Sequence, residues 1–236
     1  MDKKRLLIVR GWSSKREHWR EAINFLEERG FEILLPDLPG VNDGKHEKKP
    51  WTVNDYKNWI LRITEKKNWD NFNLLGHSFG GTVAVKFAAD LPNKIENLIL
   101  SSPAVAGSKS LRTILFYITA QTTKSVFSLP VLRKKFPKIK EKLSARGIKD
   151  YYFESGTRKK TLKGVAKENH RENLGRIKVK TLILWGSDDD SISPKYAQEI
   201  KKIIPNSKII IFPSVKHHPH RESLNEFAEE IINFIM

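Results

Sequence analysis

A serine that lies between glycines is the first feature of the sequence with the potential for chemistry. Residues 76–81 read Gly-His-Ser-Phe-Gly-Gly, which contains the pattern Gly-x-Ser-x-Gly around Ser78. This pattern is typical of a sharp turn from a strand into a helix, which lifts the serine hydroxyl above the edge of a sheet. It also arises by chance in loops rich in glycine, but here residues 72–75 resemble a strand and residues 82–89 resemble a helix with small side chains. The sequence therefore predicts that Ser78 is a nucleophile.

Ser78 would need a base and an acid. A serine hydroxyl is a poor nucleophile until a histidine accepts its proton and a carboxylate orients that histidine. Three consecutive aspartates occupy residues 188–190, and histidines occupy positions 217, 218 and 220. Each group follows a predicted strand, and the carboxyl ends of parallel strands meet at one edge of a sheet. We therefore expect a serine, an aspartate and a histidine to meet at that edge.

Six short apolar runs alternate with longer segments of helical period. Each run is apolar almost throughout, which is typical of parallel strands that are buried on both faces. The predicted strands are Leu6–Val9, Phe31–Pro36, Phe72–Gly76, Asn97–Ser102, Thr181–Gly186 and Lys208–Phe212. The predicted helices are Arg16–Glu28, Val53–Lys67, Phe79–Leu91, Pro194–Ile203 and Glu222–Phe234. This alternation predicts an α/β fold with a parallel sheet.

The alternation is interrupted once, between Ser102 and Thr181, where no run resembles a strand. Helical patches at residues 111–120, 131–143 and 157–170 fill this interval. A helical lid over a cleft explains the insertion better than a separate domain, which would be unusually small. We therefore predict a core of residues 1–103 and 177–236 and a lid of residues 104–176.

Together these features resemble the α/β-hydrolase superfamily, and in particular its serine hydrolases with a lid. The matching stretches are residues 9–12 (VRGW), 36–40 (PDLPG), 76–81 (GHSFGG), 177–186 (IKVKTLILWG) and 216–222 (KHHPHRE). The resemblance implies a reduced sheet of six parallel strands in the order 2-1-3-4-5-6. It also implies helices on both faces of the sheet and a helical lid inserted between strands 4 and 5.

The resemblance assigns further roles around Ser78. The catalytic histidine of the family heads a His-x-Pro motif, which selects His217 as the base, and we expect His218 and His220 to be solvated histidines of a turn. The oxyanion would accept hydrogen bonds from the backbone N–H of Phe79, which follows the nucleophile, and from that of Trp12. The family usually has His-Gly before this last position, whereas this chain has Arg-Gly.

The choice of acid is less direct. In the family the acid usually lies three residues after a glycine, which selects Asp189, and four residues before a proline, which selects Asp190. We predict Asp189, with Asp190 as the alternative and Asp188 as a solvated loop charge. No metal site is predicted, because Ser193 stands where a calcium loop needs glycine and the spacing of the histidines in residues 217–220 fits no standard metal motif.

The leading function is hydrolysis of a carboxylic ester through a Ser-His-Asp triad and an acyl-enzyme intermediate, without a cofactor. A serine nucleophile argues against the epoxide hydrolases and dehalogenases, which resemble this fold but use aspartate. Acyltransferase, thioesterase, amidase and carbon–carbon hydrolase activities use the same triad and stay open as alternatives. A non-catalytic protein that binds a ligand or a polyanion on this fold is the alternative of another class.

Basic residues dominate the charge of the chain. It has 43 Lys and Arg against 27 Asp and Glu, a formal net charge of +16. Residues 107–180 alone hold 20 Lys and Arg against 5 Asp and Glu, so nearly the whole excess lies on the predicted lid. This charge is either a solvated face or a surface that steers anionic acyl substrates toward Ser78. No motif predicts specific binding of nucleic acid.

Composition also bears on the environment of the protein. The absence of cysteine excludes disulfides and thiolate catalysis. The first apolar run stops at Arg10, short of the core of a signal peptide, and no run reaches the roughly 20 apolar residues that cross a bilayer. We therefore expect a cytoplasmic protein with no transmembrane segment.

Overall fold

The computed structural model describes residues 3–12, 14–41, 49–105 and 156–236. Within them, six parallel strands form one sheet in the order β2-β1-β3-β4-β5-β6. The strands are β1 (Lys4–Val9), β2 (Phe31–Leu34), β3 (Phe72–His77), β4 (Ile95–Ser101), β5 (Lys180–Gly186) and β6 (Ser207–Phe212). The predicted fold class and strand order are confirmed.

The helices of the described residues are α1 (Arg20–Glu27), α2 (Val53–Lys66), α3 (Phe79–Asp90), α4 (Gly156–Val165), α5 (Arg171–Leu174), α6 (Lys195–Ile203), α7 (Pro219–Glu222) and α8 (Leu224–Ile235). The helix predicted at residues 16–28 begins with a separate 3-10 turn, Arg16–Trp19. The helix predicted at residues 222–234 lies almost wholly in α8. Ser223, with φ of −140° and ψ of 54°, separates α8 from α7. No helix in the described part of the chain is both long enough and apolar enough to cross a membrane.

The sheet is buried on both faces because its strands carry apolar side chains on both. Leu7 of β1 lies in a core with Ile60 of α2 and Val83 of α3. The next residue, Ile8, points to the opposite face and lies in a second core with Phe227 of α8. Helices therefore cover both faces and leave the carboxyl ends of the strands to carry loops.

The insertion between β4 and β5 is described at its two ends. The helical patches predicted at residues 111–120 and 131–143 lie outside the described residues, and the patch predicted at 157–170 contains most of α4. This end of the insertion packs on the start of α2, where Trp51 N–H donates to Thr161 Oγ1 at 3.1 Å and Val53 N–H donates to Glu168 Oε1 at 3.1 Å. The placement is consistent with a lid, while the boundaries of residues 104–176 stay a prediction.

Candidate active site

Ser78 lies at the turn between β3 and α3, with a φ of 53° and a ψ of −117°. A residue other than glycine rarely adopts this backbone conformation, which costs on the order of 1–3 kcal/mol. The flanking glycines make the turn possible. A Cβ on Gly76 would lie 2.5 Å from the carbonyl oxygen of Gly80, and a Cβ on Gly80 would overlap the carbonyl of Val9. The sequence pattern is therefore required by backbone packing between β1, β3 and α3.

His217 lies on the loop after β6 and is hydrogen-bonded to Ser78. Its Nε2 is 3.1 Å from Ser78 Oγ, and its Nδ1 is 2.8 Å from Asp189 Oδ2. An ionised carboxylate can only accept a hydrogen bond, so His217 Nδ1 carries the proton and donates a hydrogen bond to Asp189. Nε2 is then the nitrogen that can accept the hydroxyl proton of Ser78. The three residues thus form a hydrogen-bonded chain from hydroxyl to imidazole to carboxylate.

Of the three aspartates after β5, the structure places Asp189 against His217. Asp189 is buried, and its Oδ1 accepts the backbone N–H groups of Ser191 and Ile192, both at 2.9 Å. Burial alone would raise the pKa of Asp189, but the hydrogen bond and charge of His217 and the Ile192 N–H outweigh it and hold that pKa below its usual value. Asp188 and Asp190 are both exposed, and neither contacts His217.

The loops that carry Asp189 and His217 lie against each other. A Cβ on Gly186, at the end of β5, would overlap the carbonyls of Val215 and Lys216. The backbone N–H of Asp188 donates to the carbonyl of Val215 at 2.9 Å. Glycine at this position therefore permits the close approach that brings Asp189 to His217.

Glu222 holds the histidine loop from both sides of His217. Its Oε2 accepts the backbone N–H of Lys216 at 2.7 Å, and its Oε1 accepts the backbone N–H of His218 at 3.2 Å. Glu222 is the last residue of the His-x-Pro-x-x-Glu stretch that the sequence analysis matched to the family. The need for a glutamate at this position has a physical reason, because its two hydrogen bonds fix the backbone on both sides of His217.

The two predicted oxyanion donors lie on the other side of Ser78. Phe79 is the first residue of α3, and Trp12 contacts it edge to face with ring centroids 5.3 Å apart. A Cβ on Gly11 would lie 3.2 Å from Ser78 Cβ, so the loop after β1 passes directly beside the serine. Both residues therefore lie beside Ser78, and their role as donors to an oxyanion stays a prediction.

Arg10 replaces the usual histidine of this loop and is fully buried. Its guanidinium forms an ion pair with Asp37 and donates to the carbonyl of Ser14 at 2.7 Å. Because Asp37 follows β2, the ion pair joins the loop after β1 to the loop after β2. The replacement is visible in the sequence, but this partner is not, because Asp37 lies 27 positions away on another loop.

An aromatic wall extends from the serine toward the inserted segment. Tyr56 contacts Phe79 with centroids 5.3 Å apart, and Trp51 contacts Tyr56 at 5.0 Å. Trp51 and Tyr56 line a small cavity together with Arg158 of α4, whose guanidinium lies 5.7 Å from the ring of Trp12. Phe79, Tyr56 and Trp51 are buried and belong to the hydrophobic core, so the half-buried Trp12 is the ring of this wall that is open to solvent, and Arg158 lies at its border.

The histidines near His217 differ from the sequence-based expectation. His220 is only 2% exposed and stacks on Trp19 with centroids 3.8 Å apart, so the prediction of a solvated turn histidine is wrong for this residue. His218 is half-buried, and burial, followed by the charges of His217 and Arg221, lowers its pKa to about 4. Trp19 lies some two hundred positions earlier in the chain, and only the packing of α1 beside α7 brings it to His220.

His77, the last residue of β3, is a neighbour that the sequence analysis did not single out. It is buried, and its ring centroid lies 5.0 Å from that of His217. Burial holds the pKa of His77, like that of His220, well below its usual value, so both imidazoles are neutral. Among the described residues, His77, His218 and His220 have imidazole nitrogens close enough together to bind a metal ion.

Comparison with known proteins identifies the family. A sequence model described as the alpha/beta hydrolase fold matches residues 4–124, just over half of the chain. The chain belongs to the α/β-hydrolase fold family. This membership covers β1 to β4 and therefore includes the turn that carries Ser78.

Several relatives of this α/β hydrolase are known. Lipase 1 of Psychrobacter immobilis is 26% identical over 95% of this chain and 74% of the lipase. A 2-hydroxy-6-oxononadienedioate/2-hydroxy-6-oxononatrienedioate hydrolase of Pseudomonas putida is 22% identical over 95% of this chain and 83% of that hydrolase. The structure of an esterase from Exiguobacterium antarcticum superposes with a TM-score of 0.78 at 18% identity, over 100% of this chain and 93% of the esterase. At this identity the structural match shows the shared fold.

Proposed function

We propose that this α/β hydrolase cleaves carboxylic esters by acyl transfer through Ser78. The observation that supports the proposal is the chain of hydrogen bonds from Ser78 Oγ to His217 Nε2 at 3.1 Å and from His217 Nδ1 to Asp189 at 2.8 Å. The lipase relative of similar sequence supports an ester as the substrate. No cofactor is needed for this chemistry.

The proposed reaction has two halves. Ser78 Oγ attacks the ester carbonyl while its proton passes to His217 Nε2, and the N–H groups of Trp12 and Phe79 donate to the oxyanion. His217 then gives the proton to the leaving alcohol, and the acyl group is bonded to Ser78. In the second half, a water molecule loses its proton to His217, attacks the acyl carbonyl, and releases the carboxylic acid with restoration of Ser78.

The half-buried ring of Trp12, at the open end of the aromatic wall, and the charge of the insertion support a substrate with an apolar part and a negative charge. The wall comprises rings of Trp12, Phe79, Tyr56 and Trp51. Residues 156–179 hold eight Lys and Arg against two Glu, and Arg158 among them borders the wall. A basic rim raises the local concentration of anions near the site, and salt screens this effect. Anionic esters should therefore be cleaved faster than neutral esters at low salt, and an unchanged ratio of the two rates as salt rises would contradict such steering.

Labelling and turnover test the proposal directly. The purified protein should hydrolyse short p-nitrophenyl esters and should be labelled by a fluorophosphonate. The Ser78→Ala variant should lose both properties, with kcat lower by roughly 10⁴-fold or more, and should fold normally by circular dichroism. Ser193→Ala, in an exposed loop serine, is the matched control and should retain both. Retained turnover in Ser78→Ala would place the nucleophile elsewhere.

Carbon–carbon hydrolysis is a second candidate, favoured by the Pseudomonas putida hydrolase relative. The same serine, histidine and aspartate can serve such a reaction. A 2-hydroxy-6-oxodienoate offered to the protein would then be consumed with a higher kcat/KM than any p-nitrophenyl ester. No turnover of that compound, together with rapid ester turnover, would leave the esterase proposal.

A further inference from the structure

Three histidines that the proposed reaction does not use lie together beside His217. They are His77 at the end of β3, and His218 and His220 on the segment after β6. One ring nitrogen of each lies within 4.8 Å of those of the other two. In the described part of the chain, this is the one group of three or more His, Cys, Asp or Glu whose ligand atoms converge in this way.

The hydrogen bond of His77 leaves one of its ring nitrogens with a lone pair that can bind a cation. Its Nδ1 lies 3.1 Å from the carbonyl oxygen of Ser101. A carbonyl can only accept, so Nδ1 carries the proton and the lone pair lies on Nε2. Histidines that bind metals are commonly held in this way, with the other ring N–H donated to a backbone carbonyl or a carboxylate.

His220 is the second observation that points to a ligand. Its side chain is only 2% exposed and is held against Trp19, yet neither of its ring nitrogens has a hydrogen-bond partner among the described residues. Buried imidazoles are normally partnered, and a ligand bound by one of these nitrogens would account for the exception. His218 is half-buried and gives the group an edge through which a small ion can enter.

We propose that His77, His218 and His220 bind a divalent transition metal ion, with Zn²⁺ as the reference ion. Three neutral imidazoles are the ligand set of open zinc sites, where water completes the coordination. Imidazole also suits Cu²⁺ and Ni²⁺. Mg²⁺ and Ca²⁺ prefer oxygen ligands, which this group does not supply, so they should not bind there.

Binding at this site should inhibit hydrolysis, a consequence that rests on the proposed function. His77 and His218 are the chain neighbours of Ser78 and His217. Nitrogen ligands around a tetrahedral zinc ion lie about 3.3 Å apart, so ring nitrogens separated by up to 4.8 Å must move together. This movement shifts the backbone on both sides of the hydrogen bond between Ser78 and His217. A displacement of about 1 Å can lower a rate by about 10²-fold.

Metal binding is tested without any use of activity. Competition with a chromophoric chelator should show one Zn²⁺ per chain, and Co²⁺ should give the visible absorption of a tetrahedral site. His220→Phe keeps a ring beside Trp19 but removes both nitrogens, and His218→Gln changes a half-buried side chain. Each should weaken Zn²⁺ binding by about tenfold or more. Glu229→Gln, in an exposed glutamate of α8, is the control and should bind like the wild type.

The outcomes of the binding test are distinct. No bound Zn²⁺ in the wild type, or equal affinity in the wild type and His218→Gln, would overturn the site. If His220→Phe does not fold, as judged by circular dichroism, His218→Gln alone is compared with Glu229→Gln.

Inhibition is measured next, with each variant compared with its own rate without metal. Zn²⁺ should lower kcat of the wild type by about tenfold or more, a chelator should restore it, and His218→Gln should need more Zn²⁺ for the same loss. Equal sensitivity of the wild type and both variants would overturn the assignment of inhibition to this site. A protein that binds Zn²⁺ but has no esterase activity without metal would contradict the proposed function and leave the metal site standing.

Discussion

The two sides of the candidate site are held by different kinds of interaction. On the side of Ser78, backbone packs directly on backbone, so that a single added carbon at Gly76 or Gly80 would overlap a main-chain carbonyl. On the side of His217, the loops also approach closely at Gly186, but His217 itself is held by separate hydrogen bonds to Asp189 and Glu222. Steric packing fails at once when an atom is added, whereas a set of hydrogen bonds can lose one member and keep the others. The turn at Ser78 should therefore respond sharply to substitution, and the hydrogen bonds around His217 should respond in graded steps.

The largest effect is expected for Gly80→Ala. The new Cβ would overlap the carbonyl of Val9 in β1, and neither strand nor helix can move without disturbing the sheet. The free energy of unfolding should fall by about 3 kcal/mol, measured by urea denaturation, and ester hydrolysis should be lost. The matched control is Gly164→Ala in α4, where a Cβ meets nothing within 4 Å. That variant should be unchanged or more stable by about 0.5–1 kcal/mol, and equal destabilisation of both would contradict the steric account.

Asp189→Asn should have the next largest effect, on rate. The amide would favour the wrong tautomer of His217, and kcat should fall by about 10⁴-fold. Asp190→Asn is the control, because Asp190 is exposed and contacts Ser191 rather than His217, and kcat should change by less than about twofold. Steady-state kinetics with one p-nitrophenyl ester compares the two variants, and equal mild losses would refute both assignments of the acid.

Glu222→Ala should have a moderate effect. It removes the acceptor for the N–H groups of Lys216 and His218 and loosens the loop without touching the reacting atoms. We expect kcat to fall by about tenfold, with partial recovery in Glu222→Gln, which keeps one acceptor oxygen. Glu229→Ala, in an exposed glutamate of α8, should be neutral. A loss of kcat as large as that of Asp189→Asn would contradict the expectation that substitutions around His217 have graded effects.

The smallest effect is expected when the pH is lowered. The pKa of Asp189 is lower in the folded protein than its ordinary value, so its ionisation stabilises the fold at a pH above the unfolded value. That contribution is lost as the pH falls through the folded pKa. The free energy of unfolding of the wild type should therefore decline toward acid more steeply than that of Asp189→Asn, in urea titrations at a series of pH values. Parallel curves would show that Asp189 gains no stabilisation from its partners.

Features that depend on local sequence could be predicted from sequence alone. The apolar runs predict all six strands, because a strand that is buried on both faces needs apolar residues throughout. The turn at Ser78 follows from the glycines beside it, since their requirement is local. The order of the sheet follows from the family resemblance, and the strand pairing agrees with it.

Features that depend on tertiary packing could not be predicted in this way. The burial of His220 depends on Trp19, a distant residue that the packing of α1 against the end of the chain brings close. The partner of Arg10, Asp37, lies on another loop and is set by the pairing of β1 with β2. The burial of Asp189 against His217 distinguishes it from its two neighbours, which the acidic run in the sequence does not reveal, and its role as the acid stays a prediction.

The hydrogen bond between Ser78 and His217 joins residues 139 positions apart in the chain. Contacts of such long separation form late in folding, because much of the intervening chain must be ordered first. During synthesis, the turn at Ser78 emerges from the ribosome long before the loop that follows β6. Ser78 therefore lacks its hydrogen bond to His217 until β6 has paired with β5. Under the proposed function, a nascent or truncated chain would present an inert hydroxyl, and reactivity toward a fluorophosphonate would count only those molecules whose folding is complete.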